Sequence, residues 1–160
     1  IVVGVGRGLN VIKYSIGWER IMLMGVCIGP MSRVISETIE RAKTREQFGK
    51  PIGSYQQISS KIADMIVRQR LSRQVVYDLC GRLTEAKGQI GQFLEDVAIT
   101  KIFVTESFIQ SMLDATQIWG GRGVCYDWPM QQDMRDSLSS TIWAGTSETL
   151  RNTIAKIQGL

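Results

Sequence analysis

The chain has 160 residues, 44% of them hydrophobic, which is enough for one domain of ordinary size with a buried core. Its 19 basic against 15 acidic residues leave a net charge of +4, too small and too diffuse to argue for nucleic acid as a partner. Histidine is absent, which excludes Ser-His-Asp and Cys-His catalysis and every histidine-based metal site, so any general base must be a carboxylate, Lys, Tyr or Cys.

The first dozen residues, Ile1 to Ile12, are β-branched and glycine-rich and read as a strand and turn. Residues 1–14 are therefore expected to be the remnant of a β domain, followed by an all-α bundle over 15–160. Gly4, Gly6 and Gly8 give G-x-G-x-G, but Leu9 stands where a dinucleotide fingerprint requires its third glycine. Lys13 follows the first apolar stretch instead of preceding it, unlike the pattern of a secretory leader. From Ser15 to about Lys43 the periodicity is helical, with Ile28, Met31, Val34, Ile35 and Ile39 spaced by threes and fours. The part from Ile21 to Ile28 is apolar nearly all round and should be buried on several sides. The apolar run Ile21 to Pro30 is too short to cross a bilayer, and Pro30 predicts a bend near Gly29.

Thr44 to Gly53, with Gly49, Pro51 and Gly53, reads as a connecting loop. Ser54 and Gln57 have capping-box spacing before a second long helix that carries Ile58, Ile62, Met65, Ile66, Val76, Leu79 and Leu83 to about Glu85. Gly88 marks its end. A third helix spans about Ile90 to Trp119, with Phe93, Val97, Val104, Phe108 and Met112 on one face and Gly120-Gly121 as its stop. A shorter helix near Pro129 to Asp136 and a last one from Thr146 to about Ile157 follow. Three helices near thirty residues each predict an all-α, long-helix up-and-down bundle. Cys27, Cys80 and Cys125 are an odd number in apolar surroundings and read as reduced core filler of an intracellular protein rather than a disulfide set.

Four stretches carry a family resemblance: Trp18-Glu19-Arg20; Arg45-Glu46-Gln47-Phe48-Gly49; Gln117-Ile118-Trp119-Gly120-Gly121-Arg122-Gly123; and Arg135-Asp136 followed by Ala144-Gly145-Thr146-Ser147-Glu148. In order and spacing they resemble the C-terminal helical domain of the acyl-CoA dehydrogenases, over essentially residues 8 to 160. The resemblance implies a flavin-dependent oxidoreductase that removes a proton next to a thioester carbonyl while hydride leaves the next carbon for FAD. It implies an acyl-CoA thioester as substrate, with a thioester on an acyl carrier protein as the alternative, and an electron-transfer flavoprotein or similar acceptor. It also implies a homo-oligomer, dimer or tetramer, in the cytoplasm or, in a eukaryote, the mitochondrial matrix. No metal, nucleic acid or membrane partner is expected, and a domain of this kind is expected to be inactive alone. A non-catalytic binding module that keeps the bundle is the competing reading; it requires a clustered basic surface.

Site residues follow from the same resemblance. Most of the family carries its base just before Gly-Thr-Ser, where this chain has Ala144. A smaller branch, which includes isovaleryl-CoA dehydrogenase, places it on the first long helix, which corresponds to Glu19 here. The residues alone are consistent with this, since Glu19 precedes Ile21-Met22-Leu23-Met24 and should be partly desolvated, although without the resemblance they favour a carboxylate that merely decorates a first helical turn. Arg45, Gln47, Phe48, Gln56, Gln117, Gly120, Gly121, Thr146, Ser147 and Glu148 correspond to cofactor-binding positions, and Arg20, Ala144 and Gly145 to substrate-binding ones. By spacing alone, Gly120-Gly121 could be a plain helix stop and Thr146 to Glu148 a plain N-cap. Arg135 and Asp136 read as a structural ion pair.

Overall fold

The computed structural model describes residues 4–160. Six helices dominate: α1 Gly8–Thr44, α2 Gln56–Glu85, α3 Leu94–Trp119, α4 Gly121–Val124, α5 Met130–Ser140 and α6 Ser147–Ile157. The expected all-α bundle of long helices is the observed architecture. A hairpin of two short antiparallel strands, β1 Glu46–Gln47 and β2 Lys50–Pro51, joins α1 to α2.

α3 is the central element. It packs against α1, α2, α5 and α6 and is buried on more than one face, which is why its apolar residues do not form a single stripe. Met24, Met31, Met65, Leu79, Leu83, Val97, Val104 and Met112 form the dry interior between α1, α2 and α3. Unbranched methionines fill irregular gaps between crossing helices well. Ile21, Met24, Cys27, Met31, Val34 and Ile35 supply the inward face of α1, and that helix continues unbroken through Pro30.

Several boundaries differ from expectation. α1 begins at Gly8 rather than near Ser15, so of the strand and turn expected over Ile1 to Ile12 the part from Gly8 on is exposed helix, residues 4–7 form a turn, and Ile1 to Val3 lie outside the described residues. The Ser54/Gln57 capping box does not form. Ser54 instead ends a 3-10 turn over Ile52–Ser54, and Tyr55 precedes α2 with no side-chain cap. The third helix opens with a 3-10 turn at Ile90–Phe93 before α3 proper. At the other end of α3, Gly120 adopts φ 62° and its N–H bonds the Thr116 carbonyl at 3.0 Å, the predicted stop. Thr146 caps α6, its hydroxyl accepting from the Thr149 N–H at 3.3 Å. Cys27 is buried, but Cys80 is only half-buried and Cys125 is exposed, so the core-filler reading holds for one cysteine of three. Arg135 and Asp136 are both exposed and do not pair: adjacent positions on a helix point apart.

Candidate functional site

Two clusters bring the singled-out residues together, one near each end of α1. The first is a cleft of about 760 Å³ where the hairpin meets the end of α3. Arg45, Gln47, Phe48, Gly120 and Gly121 line it, joined by Arg41, Tyr55, Gln57, Trp119 and Arg122. Gln56 and Gln117 lie outside this lining, each exposed on the adjoining helix turn. Tyr55 braces the hairpin by donating its hydroxyl to the Gln47 carbonyl at 2.9 Å while Lys50 sits over its ring. The turn places Phe48 (φ 53°) and Gly49 (φ 80°) in the left-handed region and leaves the Phe48 ring 95% exposed.

Charge defines this cleft. None of its lining side chains is acidic, whereas three are guanidiniums. Burial, then the like charges of Arg122 and Arg45, push Arg41 below the ordinary arginine value. Arg41 donates to the Trp119 carbonyl at 3.1 Å and stacks over its ring, yet its buried Nε has no partner. Trp119 in turn packs on Trp128, over which Arg122 lies, so two cations and two indoles make one ladder. Side chains built at Gly120 or Gly121 would meet nothing within 4 Å, so the backbone there leaves room for a ligand to approach. Uncompensated guanidiniums, an orphaned buried N–H and bare glycines fit a pyrophosphate, and thus the phosphate part of a flavin dinucleotide.

The second cluster surrounds the turn before α6. Arg20 donates from Nε to the Ala144 carbonyl at 2.8 Å, and Lys101 donates from Nζ to the Gly145 carbonyl at 3.1 Å. Ala144 (φ 51°) and Gly145 (φ 102°) are both left-handed, an unfavourable conformation for alanine that these two bonds help to hold. The Ser147 N–H closes the turn on the Thr141 carbonyl at 3.0 Å. The Ser147 hydroxyl is buried without a partner at the start of α6. The Glu148 carboxylate is held below its ordinary value, first by its own backbone N–H and then by the Thr146 hydroxyl.

Glu19 precedes Arg20 in α1, but the desolvation expected of it is not observed. It is exposed and forms no hydrogen bond or ion pair among the described residues. Of the apolar residues after it, Ile21 and Met24 are buried, whereas Met22 and Leu23, on the same face of α1 as Glu19, are exposed and half-buried and do not desolvate it. Burial pushes the Arg20 guanidinium down, and the neighbouring Glu19 carboxylate partly offsets this. Sequence reasoning missed Arg41, Arg122 and Lys101. Lys101 had a visible signal, because it interrupts the buried α3 stripe of Val97, Val104 and Phe108 at helical spacing. Arg41 lies one turn before Arg45, on the same side of α1.

At about 1.5 Å per residue, Arg20 and Arg41 lie roughly 30 Å apart along α1. That separation exceeds the distance between the ring and the pyrophosphate of one flavin dinucleotide.

The bundle thus carries a guanidinium-lined cleft where α1 ends and a cation-clamped turn beside the first half of α1. The sequence profile described as "Acyl-CoA dehydrogenase, C-terminal domain" matches residues 6–158, and the chain belongs to that family. It is 38% identical over 151 residues to the L-prolyl-[peptidyl-carrier protein] dehydrogenase of Pseudomonas fluorescens, covering 94% of this chain and 39% of that protein. It is 34% identical over 151 residues to the mitochondrial isovaleryl-CoA dehydrogenase of Bos taurus, covering 94% of this chain and 34% of that one. Among solved structures, "PigA with FAD and proline" superposes with a TM-score of 0.89 at 30% identity, covering 97% of this chain and 39% of that one. The chain thus spans between about a third and two fifths of the length of these curated relatives.

Proposed function

We propose that this domain supplies the base and part of the cofactor cradle of a flavin-dependent dehydrogenase whose acyl substrate is a thioester on a carrier protein. Coenzyme A was the first expectation. The carrier is favoured because a relative at 38% identity bears the name of a carrier-linked prolyl dehydrogenase. The reading rests on the bond from Arg20, the residue after Glu19, to the Ala144 carbonyl, in a chain of this family where Ala144 leaves the other family position without a carboxylate.

Glu19 takes the proton from the carbon next to the thioester carbonyl. Its exposed carboxylate is free to meet a ligand, and Arg20 anchors its helix turn to the turn that borders the thioester. Ala144 and Gly145 leave room for the thioester there. When bound, FAD supplies the acceptor for the hydride leaving the next carbon. Thr146, Ser147 and Glu148 present the α6 N-terminus to the cofactor, and electrons pass on to an electron-transfer flavoprotein or similar acceptor. Arg41, Arg45, Arg122 and Gly120-Gly121 hold the pyrophosphate. The two clusters lie too far apart to share one cofactor, so the arginine cleft of one copy serves the cofactor of a second, and the protein works as a homo-oligomer.

In the intact flavoprotein, Glu19→Gln should keep the yellow cofactor and lose about 10³-fold or more in the rate at which substrate bleaches it. Prolyl thioesters on carrier protein should reduce the wild type faster than the matching coenzyme A thioesters. Unchanged bleaching by Glu19→Gln removes Glu19 from its role, and equal rates on both thioesters remove the carrier preference.

A further inference from the structure

Lys101 is 0% exposed, and its ammonium has one recorded acceptor, the Gly145 carbonyl. No carboxylate lies within ion-pair distance of it, nor of Arg20, among the described residues. The charged groups that reach Lys101 are Arg20, which opposes it, and Glu148 and Glu106, which favour it; burial is the largest influence and lowers its proton affinity. The Cys27 thiol is itself pushed up to about 11 by burial, so it stays neutral and provides no counter-charge. A buried ammonium without a counter-ion costs several kcal/mol. A neutral donor such as glutamine could hold one carbonyl more cheaply, so holding the turn alone does not account for a lysine here.

We propose that Lys101 is a positioning residue for α-proton removal: it fixes the thioester-facing turn through Gly145, and its unbalanced charge behind that turn stabilises the negative charge that develops on the substrate. When the α-proton passes to Glu19, the electron pair it leaves spreads onto the thioester oxygen before the acyl chain loses hydride. A fixed cation in a water-poor interior lowers the energy of that charge without reorganising. Arg20, on the adjacent carbonyl, adds to the same field. The inference rests on Glu19 acting as base.

Two substitutions in the intact flavoprotein separate bond from charge. Lys101→Met removes both, whereas Cys27→Asp keeps the bond and places a carboxylate where it neutralises the ammonium. Amide hydrogen exchange over residues 144–147 should be about tenfold or more faster in Lys101→Met and unchanged in Cys27→Asp. The limiting rate of flavin reduction should fall about tenfold or more in both, with the half-saturating substrate concentration of Cys27→Asp within about twofold of wild type. Cys27→Ser should behave as wild type. Cys27→Asp reducing flavin at the wild-type rate overturns the proposal, as does unchanged exchange in Lys101→Met. If Lys101→Met does not fold, the rate in Cys27→Asp decides alone. Glu19→Gln is measured alongside: full activity there sinks the base assignment, whereas loss there with none in Cys27→Asp sinks only the role of Lys101.

Discussion

Asp114 shows how single residues hold this bundle together. It is nearly buried on α3, and its two oxygens accept from Lys61 Nζ at 2.7 Å and Arg68 Nη2 at 2.8 Å, both on α2. Burial works to raise its pKa and is the largest single influence. The bonds from Lys61 and Arg68 together outweigh it and hold the carboxyl below the ordinary aspartate value. A carboxylate depressed in the folded state stabilises the fold above its unfolded pKa of about 4 and loses that contribution as pH falls through the folded value. Asp114→Asn should therefore cost about 1–3 kcal/mol at neutral pH, the partial exposure of both cations keeping it below the cost of a fully buried pair. In urea unfolding at stepped pH, the gap between wild type and Asp114→Asn should be full at pH 7 and shrink below about pH 4; a gap independent of pH contradicts the assignment. Legibility at this scale was uneven. Arg45 and Gly120-Gly121 were visible because they sit in motifs, but the partners of Asp114, 46 and 53 positions away, were not, since nothing local encodes such a meeting.

Among the elements, the link from α3 to α4 is the tightest. A Cβ built on Gly123 would lie 2.7 Å from the Thr116 carbonyl oxygen and 3.1 Å from the Thr116 Cα, both backbone atoms that cannot swing away. Gly123→Ala should cost about 2 kcal/mol and lower the melting temperature by roughly 5 °C, whereas Gly121→Ala, with nothing within 4 Å, should leave it near wild type. Equal melting of the two variants by calorimetry would show the link to be looser than described. The long helices were readable because the apolar spacing of Met31, Val34 and Ile35, or of Leu79 and Leu83, repeats over many turns. The hairpin was not, because its strands are two residues each and its turn places Phe48, a residue with no turn preference, at positive φ beside Gly49. The absent capping box at Ser54 has a tertiary cause: the chain there is drawn into a 3-10 turn against α1, with Gly53 in contact with Ala42.

Across the whole molecule, α1 is the organising rod, unbroken from Gly8 to Thr44. It carries Glu19 and Arg20 near one end and Arg41 at the other, and Arg45 follows directly. If each catalytic centre draws its carboxylate from one copy and its arginines from another, damage to the two ends is separable. Glu19→Gln should bind cofactor without turnover, and Arg45→Ala should turn over only at high added FAD. Unfolded together and refolded as mixed pairs, the two inactive variants should recover one working centre per pair, with visible flavin reduction absent from either alone. No recovery would place both clusters in a single centre. The stiffness of one uninterrupted helix would then act as a ruler, setting a spacing that no lone copy bridges and making partnership a condition of activity.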